Sequence, residues 1–330
     1  MYRGNRSTFC ALATATAVGM VLAAATATPA AAQYKFPCDT IQVVIHAAYG
    51  GGTDVTARMM MIRSRRELKA DMQVVARRGG SGAAAHKYVA GRPKDGCTIM
   101  ALTQSHLYTI ARGKSVLKID DLVGVTRAMD DPTFVVVSGK SNFKSLADLI
   151  AASKKKPVNF GVAQIGGTEH IGLAAFAKAS GLKYKVVPFG SGGKMVQALM
   201  SGSIDGTLPN VSEAGEQVRD GTFRALAVMG EKRLKDYSKV PTTFELGYKV
   251  KTSTTRGYAV LKGTPQPAID ALSKALVKAM HHKVFADYLK SAGLSVDDSV
   301  AGSEVWTKHI KEEYAVAAQA LKDLGLLKKK

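Results

Sequence analysis

Two glycine-rich loops carry the residues best suited to hold a small anion. The first is Gly50-Gly51-Gly52, with Thr53 and Asp54 directly after it, and the second is Gly166-Gly167-Thr168, with His170 two residues on. Each loop follows an apolar run and precedes a helix-like stretch. Glycine lets a ligand approach the backbone closely, and the free amides at a helix N-terminus attract negative charge. A plain tight turn with an N-cap residue explains either loop alone, but the pair favours an anion site.

A third loop, Phe189-Gly190-Ser191-Gly192-Gly193-Lys194, does not fit a nucleotide site. A Walker A loop needs Gly six residues before the Lys and Ser or Thr after it, and Pro188 and Met195 occupy those positions. The loop at Gly50 also lacks the glycine spacing of a dinucleotide-binding fingerprint. We therefore expect no nucleotide cofactor.

Known catalytic motifs are absent from the sequence. No G-x-S-x-G occurs, and none of the seven histidines has H-E-x-x-H spacing. His170 stands at a helix N-terminus, where the dipole disfavours its charged form, so we expect it to be neutral. The enzyme alternative is an extracytoplasmic hydrolase or transferase that uses His170 and Asp54 across a cleft as acid and base. We expect no catalysis, no metal and no cofactor.

Alternating strands and helices must position these loops. Apolar, β-rich runs recur along the chain with helix-like stretches between them, which predicts an α/β fold with parallel sheets. The predicted strands are residues 41–45, 72–75, 97–102, 134–138, 158–162, 184–187, 204–208 and 225–229. They fall into two series, which predicts two lobes. Two C-terminal helices have no sheet of their own and should cover the first, which makes the first lobe discontinuous.

The N-terminus predicts export. Residues 1–9 carry two arginines and no acid, an alanine-rich apolar run follows, and Pro29-Ala30-Ala31-Ala32 suits signal peptidase. We interpret residues 1–32 as a signal peptide, because the run is too short and too rich in alanine for a membrane span. The expected lobes are then residues 33–135 with 258–330 and residues 136–257. The expected location is the periplasm.

Two cysteines, Cys38 and Cys97, remain after that segment. An even number of cysteines in an oxidising compartment favours a disulfide. Each cysteine precedes a predicted strand, and two parallel neighbouring strands would bring those points together. A metal site is the weaker interpretation, because neither cysteine belongs to a C-x-x-C pair.

The net charge of +20, from 46 basic and 26 acidic residues, favours binding to an anionic partner. Nucleic acid is the usual candidate, but the basic residues are spread over the whole chain. No aromatic platform or DNA-binding motif accompanies them. We expect no nucleic-acid partner.

An ordered set of motifs resembles the Bug, or tripartite tricarboxylate transporter, substrate-binding receptors. The set covers nearly all of the chain after the signal segment. It consists of GGGTDV at 50–55, GGSG at 79–82, PKDGCT at 93–98, GGTEH at 166–170, VPFGSG at 187–192, GSID at 202–205, RALAV at 224–228, PTTFELG at 241–247 and GTP at 263–265.

This resemblance implies a two-lobed periplasmic binding protein of the type II, Venus-flytrap kind, each lobe a mainly parallel sheet flanked by helices. It implies a monomeric receptor that clamps a small organic carboxylate between two helix N-termini and passes it to membrane permease subunits. The ligand-binding residues carried over from the family are Ala48, Tyr49, Gly50, Gly51, Thr53, Asp54, Gly167, Thr168, His170, Phe189, Gly190 and Ser191. Tyr49 and Phe189 are expected to wall the cleft.

The sequence departs from the family pattern at three places. Ala76-Arg77-Arg78 replaces the usual acidic-Asn pair, Pro209 precedes Asn210 where Asp is common, and Arg256-Gly257-Tyr258 stands where a tryptophan is usual. All three concern the far end of the expected pocket. They leave the identity of the carboxylate open.

Overall fold

The computed structural model describes residues 34–327, which fold into two five-stranded sheets with helices on both faces. The expected signal peptide, residues 1–32, lies outside this part of the chain. In chain order the elements are β1 (Thr40–Ile45), α1 (Gly52–Leu68), β2 (Asp71–Ala76), α2 (Ala83–Ala90), β3 (Thr98–Leu102), α3 (Gln104–Ala111), β4 (Leu122–Pro132), β5 (Phe134–Ser138), α4 (Leu146–Lys155), β6 (Val158–Val162), α5 (Thr168–Ser180), β7 (Tyr184–Pro188), α6 (Gly192–Met200), β8 (Gly206–Thr207), α7 (Val211–Arg219), β9 (Phe223–Val228), β10 (Ser253–Leu261), α8 (Gln266–Met280), α9 (Lys283–Ser291), α10 (Val296–Ser299) and α11 (Ser303–Asp323).

The two sheets have the same plan. The first has the order β2-β1-β3-β10-β4 and the second the order β7-β6-β8-β5-β9. In each sheet the first three strands are parallel, and the last two pairings are antiparallel. The two-lobed α/β fold is confirmed, and each sheet is mainly parallel: four strands share one direction, and one strand, β10 in the first sheet and β5 in the second, runs against them. The reason is that β5 and β10 enter their sheets directly from the other lobe, without a crossover helix.

The chain passes between the sheets twice. β4 ends at Pro132 in the first sheet and β5 begins at Phe134 in the second, so the first crossing is at Thr133. The return runs between β9 and β10. The expected boundaries at 135/136 and 257/258 therefore fall inside β5 and β10. The described residues form one compact unit, and the division into lobes by residue number stays a prediction. Below, a lobe means one sheet with the helices that cover it.

The C-terminal helices cover the first sheet, as expected. α8 packs on α1 and β4, and α11 packs on β4 and α3. Trp306 of α11 is fully buried over Gly124 and Gly257, and its indole nitrogen donates to the Tyr258 carbonyl at 3.1 Å. A Cβ at Gly257 would lie 2.5 Å from the Trp306 ring. Glycine is thus required where the ring meets the sheet.

The predicted disulfide is confirmed. Cys38 and Cys97 are bonded, with their Cα atoms 6.2 Å apart. They precede β1 and β3, which are parallel neighbours, and the Gln42 amide donates to the Cys97 carbonyl at 2.8 Å. The bond therefore fastens the entry points of two core strands. No helix within residues 34–327 is long and apolar enough to cross a membrane.

Candidate functional site

The first turns of five helices meet in a small cavity between the lobes, which we call the inner cavity. It measures about 30 Å³, enough for a water molecule or two. Residues at the starts of α1 and α3 line it from the first lobe, and residues at the starts of α5, α6 and α7 line it from the second. The first amides of a helix have no partner within the helix and carry the positive end of its dipole. The inner cavity thus gathers several such ends, among them those of α1 at Gly51–Thr53 and of α3 at Thr103 and Ser105.

Glycines allow the lobes to come this close. A Cβ at Gly51 would lie 2.8 Å from the Ser191 Cβ, and one at Gly193 would lie 2.6 Å from the Gly50 carbonyl oxygen. Real Cβ atoms do not approach other atoms so closely. The glycines of these loops therefore allow the two lobes to make contact, because they have no side chain.

Four of the hydrogen bonds that join the lobes beside the inner cavity are accepted by a backbone carbonyl. They are Ala48 N to Gly190 O at 3.0 Å, Gln164 Nε2 to His46 O at 3.0 Å, Ser81 Oγ to Ile165 O at 2.7 Å, and Arg112 Nη2 to Gly166 O at 3.0 Å. In addition, the Ser105 hydroxyl accepts from the Thr168 amide and pairs with its hydroxyl, both at 3.1 Å. The lobes are in contact, in a closed arrangement.

Glu213, at the start of α7, places a carboxylate on the first turn of α1. Its Oε1 accepts from the Gly52 amide at 2.8 Å, and its Oε2 accepts from the Asn210 amide at 3.3 Å. A Cβ at Gly192 would lie 2.0 Å from Glu213 Oε1. One side chain of this protein therefore already occupies an anion position at the edge of the inner cavity.

A buried guanidinium, that of Arg256 in β10, lies beside Glu213. Its Nη1 donates to Asp131 and its Nη2 donates to Asn210 Oδ1 at 2.9 Å. Asp131 also accepts from the amide and the hydroxyl of Ser212. Burial raises the pKa of the Asp131 carboxyl, and Arg256 and Ser212 offset part of that rise. This network links both lobes at the crossing near Thr133.

Several buried polar atoms that line the inner cavity have no hydrogen-bond partner among the described residues. Buried polar groups usually find partners, so such atoms indicate a missing one. They are His46 Nδ1, Gln164 Oε1, Ser191 Oγ, Thr254 Oγ1 and Arg256 Nε. The set combines donors, acceptors and groups that can be either. It suits a small polar ligand.

Three buried histidines lie against one another beside the inner cavity, and we call them the histidine cluster: His46, His86 and His106. The His106 ring lies 4.3 Å from that of His46 and 5.0 Å from that of His86, between centroids. Burial lowers the pKa of His46 to about 3 and that of His86 to about 4. Burial, followed by the other two rings, also lowers the pKa of His106. The cluster is neutral and forms part of the core.

Two titratable groups at the start of α5 differ in their surroundings. Burial and the nearby Glu213 raise the pKa of Glu169, which lines the inner cavity, to about 7. Burial and then Arg112 lower the pKa of His170, whose Nδ1 accepts from the Gly166 amide at 2.8 Å. His170 is therefore neutral, as expected, but it bonds its own loop.

A second cavity of about 430 Å³ adjoins the inner one and shares Ala163 and Gln164 with it. We call it the outer cavity. Arg78 and the turn Gly79–Ser81 line one side, and Pro188 and Gly190 line the other. Its larger volume suits the part of a ligand that projects from the inner cavity.

The structure brings some of the expected ligand residues together and places others elsewhere. Gly51, Thr53, Thr168 and Ser191 line the inner cavity. Gly190 lines the outer cavity and bonds Ala48 across the lobes, while Gly50 lines a small neighbouring cleft near Tyr288. Gly167 is the N-cap of α5 and has a backbone amide that bonds within its own loop.

The remaining expected residues do not line either cavity. Tyr49 is 55% exposed, and its hydroxyl accepts from the Ala76 amide at 3.3 Å. Phe189 packs against the core, so neither aromatic ring walls the cleft as expected. Asp54 accepts from the Gly50 amide and from Arg58, both at 2.9 Å. Asp54 and His170, the proposed acid and base of the enzyme alternative, are thus each engaged in their own loops.

Sequence reasoning missed the charged lining of the inner cavity. Glu213 and Arg256 lie 161 and 204 positions from Gly52 and belong to no motif. The only sequence signal was Arg256 at a place where the family has a tryptophan. Glu169 was quoted within the GGTEH motif without a role. Among residues 34–327, no group of three or more His, Cys, Asp or Glu side chains could hold a metal ion.

Comparisons with known proteins agree with this architecture. Protein BugT of Bordetella pertussis is 27% identical over 286 residues, which cover 84% of this chain and 87% of BugT. MatC of Rhodopseudomonas palustris, solved with bound malate, is 22% identical, with a TM-score of 0.81 over 87% of this chain and 100% of MatC. A second R. palustris protein, solved with adipate, is 24% identical, with a TM-score of 0.80 over 88% of this chain and 99% of its own. These two structures share the fold.

The sequence profile of the tripartite tricarboxylate transporter family receptors matches residues 56–326. The matched region contains every strand of both sheets except β1, the helices α5, α6 and α7, and most of the residues that line the inner cavity. Because the match covers far more than half of the chain's 330 residues, the chain belongs to the tripartite tricarboxylate transporter receptor family.

Proposed function

We propose that this protein is an extracytoplasmic receptor that captures a small carboxylate between its lobes and delivers it to a tripartite tricarboxylate transporter. One observation carries the proposal: the N-termini of several helices and a set of unpartnered buried polar atoms meet in one closed cavity. Helix N-termini with free amides are anion-binding sites. The family is one of receptors and not of enzymes.

Binding proceeds by closure of the lobes. In the open state, water satisfies the amides of α1, α5 and α6 and the side chains of Ser191 and Thr254. A carboxylate that replaces this water bridges groups from both lobes, so the closed state binds it more tightly than the open state does. The hydrogen bonds between lobes then form around it. Desolvation of the site strengthens each polar contact.

The relatives support the class of ligand and of partner. MatC was solved with malate and the second R. palustris protein with adipate, and both ligands are carboxylates. The family description names a transporter, which supports membrane permease subunits as the partner. The export pattern of residues 1–32 supports a periplasmic location. We further propose that the protein is a monomer. Its first lobe would consist of residues 34–132 with 253–327, and its second lobe would be centred on residues 134–228.

A thermal-shift screen over mono-, di-, tri- and amino-carboxylates, followed by isothermal titration calorimetry, tests the proposal. A ligand that binds should raise the melting temperature without being chemically changed. The variant Thr168→Ala loses a hydroxyl that lines the inner cavity and should bind about 2- to 10-fold more weakly, as expected for one hydrogen bond. Thr222→Ala, at an exposed position, is the matched control. Failure of every carboxylate to bind would reject the proposed function.

A further inference from the structure

The outer cavity must receive the greater part of any ligand, and among the described residues that line it Arg78 alone carries a charge. The inner cavity has room for a water molecule or two, so it admits one carboxylate group at most. The rest of the ligand must then lie in the outer cavity, which measures about 430 Å³ and adjoins the inner one at Ala163 and Gln164. The lining of the outer cavity therefore determines which far end a ligand can have.

Two neighbouring arginines at the end of β2 extend in different directions. The Arg77 amide donates to the Ile45 carbonyl at 2.8 Å, so strand pairing continues to this point, and successive side chains of a strand lie on opposite faces. The Arg77 guanidinium lies over the Tyr88 ring, 4.0 Å from its centroid. Arg78 reaches the second lobe instead, because a Cβ at Gly190 would lie 2.8 Å from its Nη2. Both Arg78 and Gly190 line the outer cavity, so this guanidinium lies at its wall.

The guanidinium of Arg78 has its donors available for a ligand. Across residues 34–327, Arg78 takes part in no ion pair and no hydrogen bond, and no acidic side chain of that range lines the outer cavity. The amides of Gly79, Gly80 and Ser81, on the same wall, donate to none of the described groups. A guanidinium binds a carboxylate through two parallel hydrogen bonds, and free amides of a turn add further donors. This wall therefore suits an anionic group.

We propose that Arg78 binds a second carboxylate at the far end of the ligand, so that the receptor selects dicarboxylates over carboxylates with a neutral far end. This inference rests on the proposed function, because the first carboxylate is the one captured in the inner cavity. A neutral far end would displace water from the guanidinium without supplying an anionic acceptor, which lowers its affinity. Because Arg78 and Gly190 belong to different lobes, an anion held between them also favours the closed state.

Calorimetry with shape-matched pairs tests the inference in the mature chain at neutral pH. The ligands are succinate, glutarate and adipate, each compared with its monoamide, in which a neutral amide replaces one carboxylate. We expect the dicarboxylate that binds best to bind about fivefold or more tightly than its monoamide, as for a charge-assisted hydrogen bond to a partly solvated cation. Arg78→Gln should reduce this ratio to about two, the statistical advantage of two equivalent ends. Arg77→Gln removes the same charge from the arginine that lies over Tyr88 and should leave the ratio unchanged.

Three results would overturn the inference. If the monoamides bind the wild-type protein as tightly as the dicarboxylates, or if only other carboxylates bind, the ligand class is wrong while the proposed function stands. If Arg78→Gln folds, as judged by circular dichroism, and keeps the wild-type ratio, or if Arg77→Gln lowers the ratio equally, Arg78 does not determine it. If no carboxylate binds at all, the proposed function fails together with the inference. The wild-type ratio decides the ligand class even if a variant does not fold.

Discussion

Replacement of Gly51 by alanine tests whether closure of the lobes creates the affinity. Gly51 is the N-cap of α1 with φ −90° and ψ 169°, a conformation that any residue adopts, so the change adds bulk without backbone strain. The new Cβ would lie 2.8 Å from the Ser191 Cβ in the opposite lobe. Carbon atoms in contact lie about 3.5–4.0 Å apart. The lobes must therefore separate by about 1 Å at this point.

That separation breaks neighbouring hydrogen bonds. The bond from the Ala48 amide to the Gly190 carbonyl measures 3.0 Å, and the bond from the Gly52 amide to Glu213 measures 2.8 Å. Both would lengthen to about 4 Å, beyond hydrogen-bond range. At about 0.5–1.5 kcal/mol for each bond, the closed state loses about 1–3 kcal/mol. We expect the ligand to bind about 5- to 150-fold more weakly.

The assay is calorimetric titration with a carboxylate that the thermal-shift screen identifies. Gly91→Ala is the matched control, because its Cβ would lie 3.7 Å from the nearest atom, in ordinary contact. An affinity for Gly51→Ala within twofold of the wild-type value would refute closure as the source of binding.

Three further predictions concern stability, measured as the free energy of unfolding in urea. Replacement of both Cys38 and Cys97 by serine should cost about 4 kcal/mol, the entropy expected for a cross-link over 59 residues. Because burial holds the histidine cluster at pKa values far below 6.5, only the unfolded chain takes up these protons as the pH falls below 6.5. Stability should therefore decline from pH 6.5 towards pH 5, by up to about 1.4 kcal/mol per pH unit for each histidine. Asp131→Asn leaves Arg256 buried beside a neutral partner and should cost about 3–5 kcal/mol.

Each of these predictions has a control, or an outcome that would contradict it. Dithiothreitol should destabilise the wild-type protein but not the double serine variant, and an equal effect on both would contradict the role of the disulfide. A stability that is flat between pH 6.5 and pH 5 would contradict the neutral histidine cluster. Glu245→Gln removes a carboxylate from the exposed pair with Arg233 and should cost far less than Asp131→Asn, because solvent screens the exposed pair. An equal cost for Asp131→Asn would contradict the buried network.

Most of the fold could be predicted because apolar runs mark the inner strands. β5 and β6 have the predicted bounds, and the helices after the two glycine loops begin where the loops end. β4 and β10 were missed because they contain buried charged residues, Asp131 and Arg256, which break the apolar pattern. The two charges can be buried in strands because they pair with each other. Periodicity along one segment does not contain that information.

The site could be predicted only where local sequence defines it. Glycines before helices mark the N-termini of α1 and α5, so Gly51 and Thr168 were identified. Tyr49 and Phe189 were misplaced because side-chain direction depends on contacts with Ala76 and with the core. Glu213 was missed because an acidic residue at the start of a helix normally serves as a cap. Its second role, across the cleft, exists only after the lobes meet.

Four of the hydrogen bonds between the lobes have backbone acceptors, which has an evolutionary consequence. His46, Ile165, Gly166 and Gly190 each accept through a carbonyl oxygen, so the accepting atom does not depend on the side chain at that position. Gly166 and Gly190 must nevertheless stay glycine, because both have positive φ and a Cβ at Gly166 would lie 1.9 Å from Arg112 Nη1. Substitutions at Thr53, Thr168 or Ser191 change the lining of the inner cavity and remove none of these four bonds. A duplicated copy of such a receptor can therefore acquire new cargo through those side chains while it keeps the bonds that close the lobes.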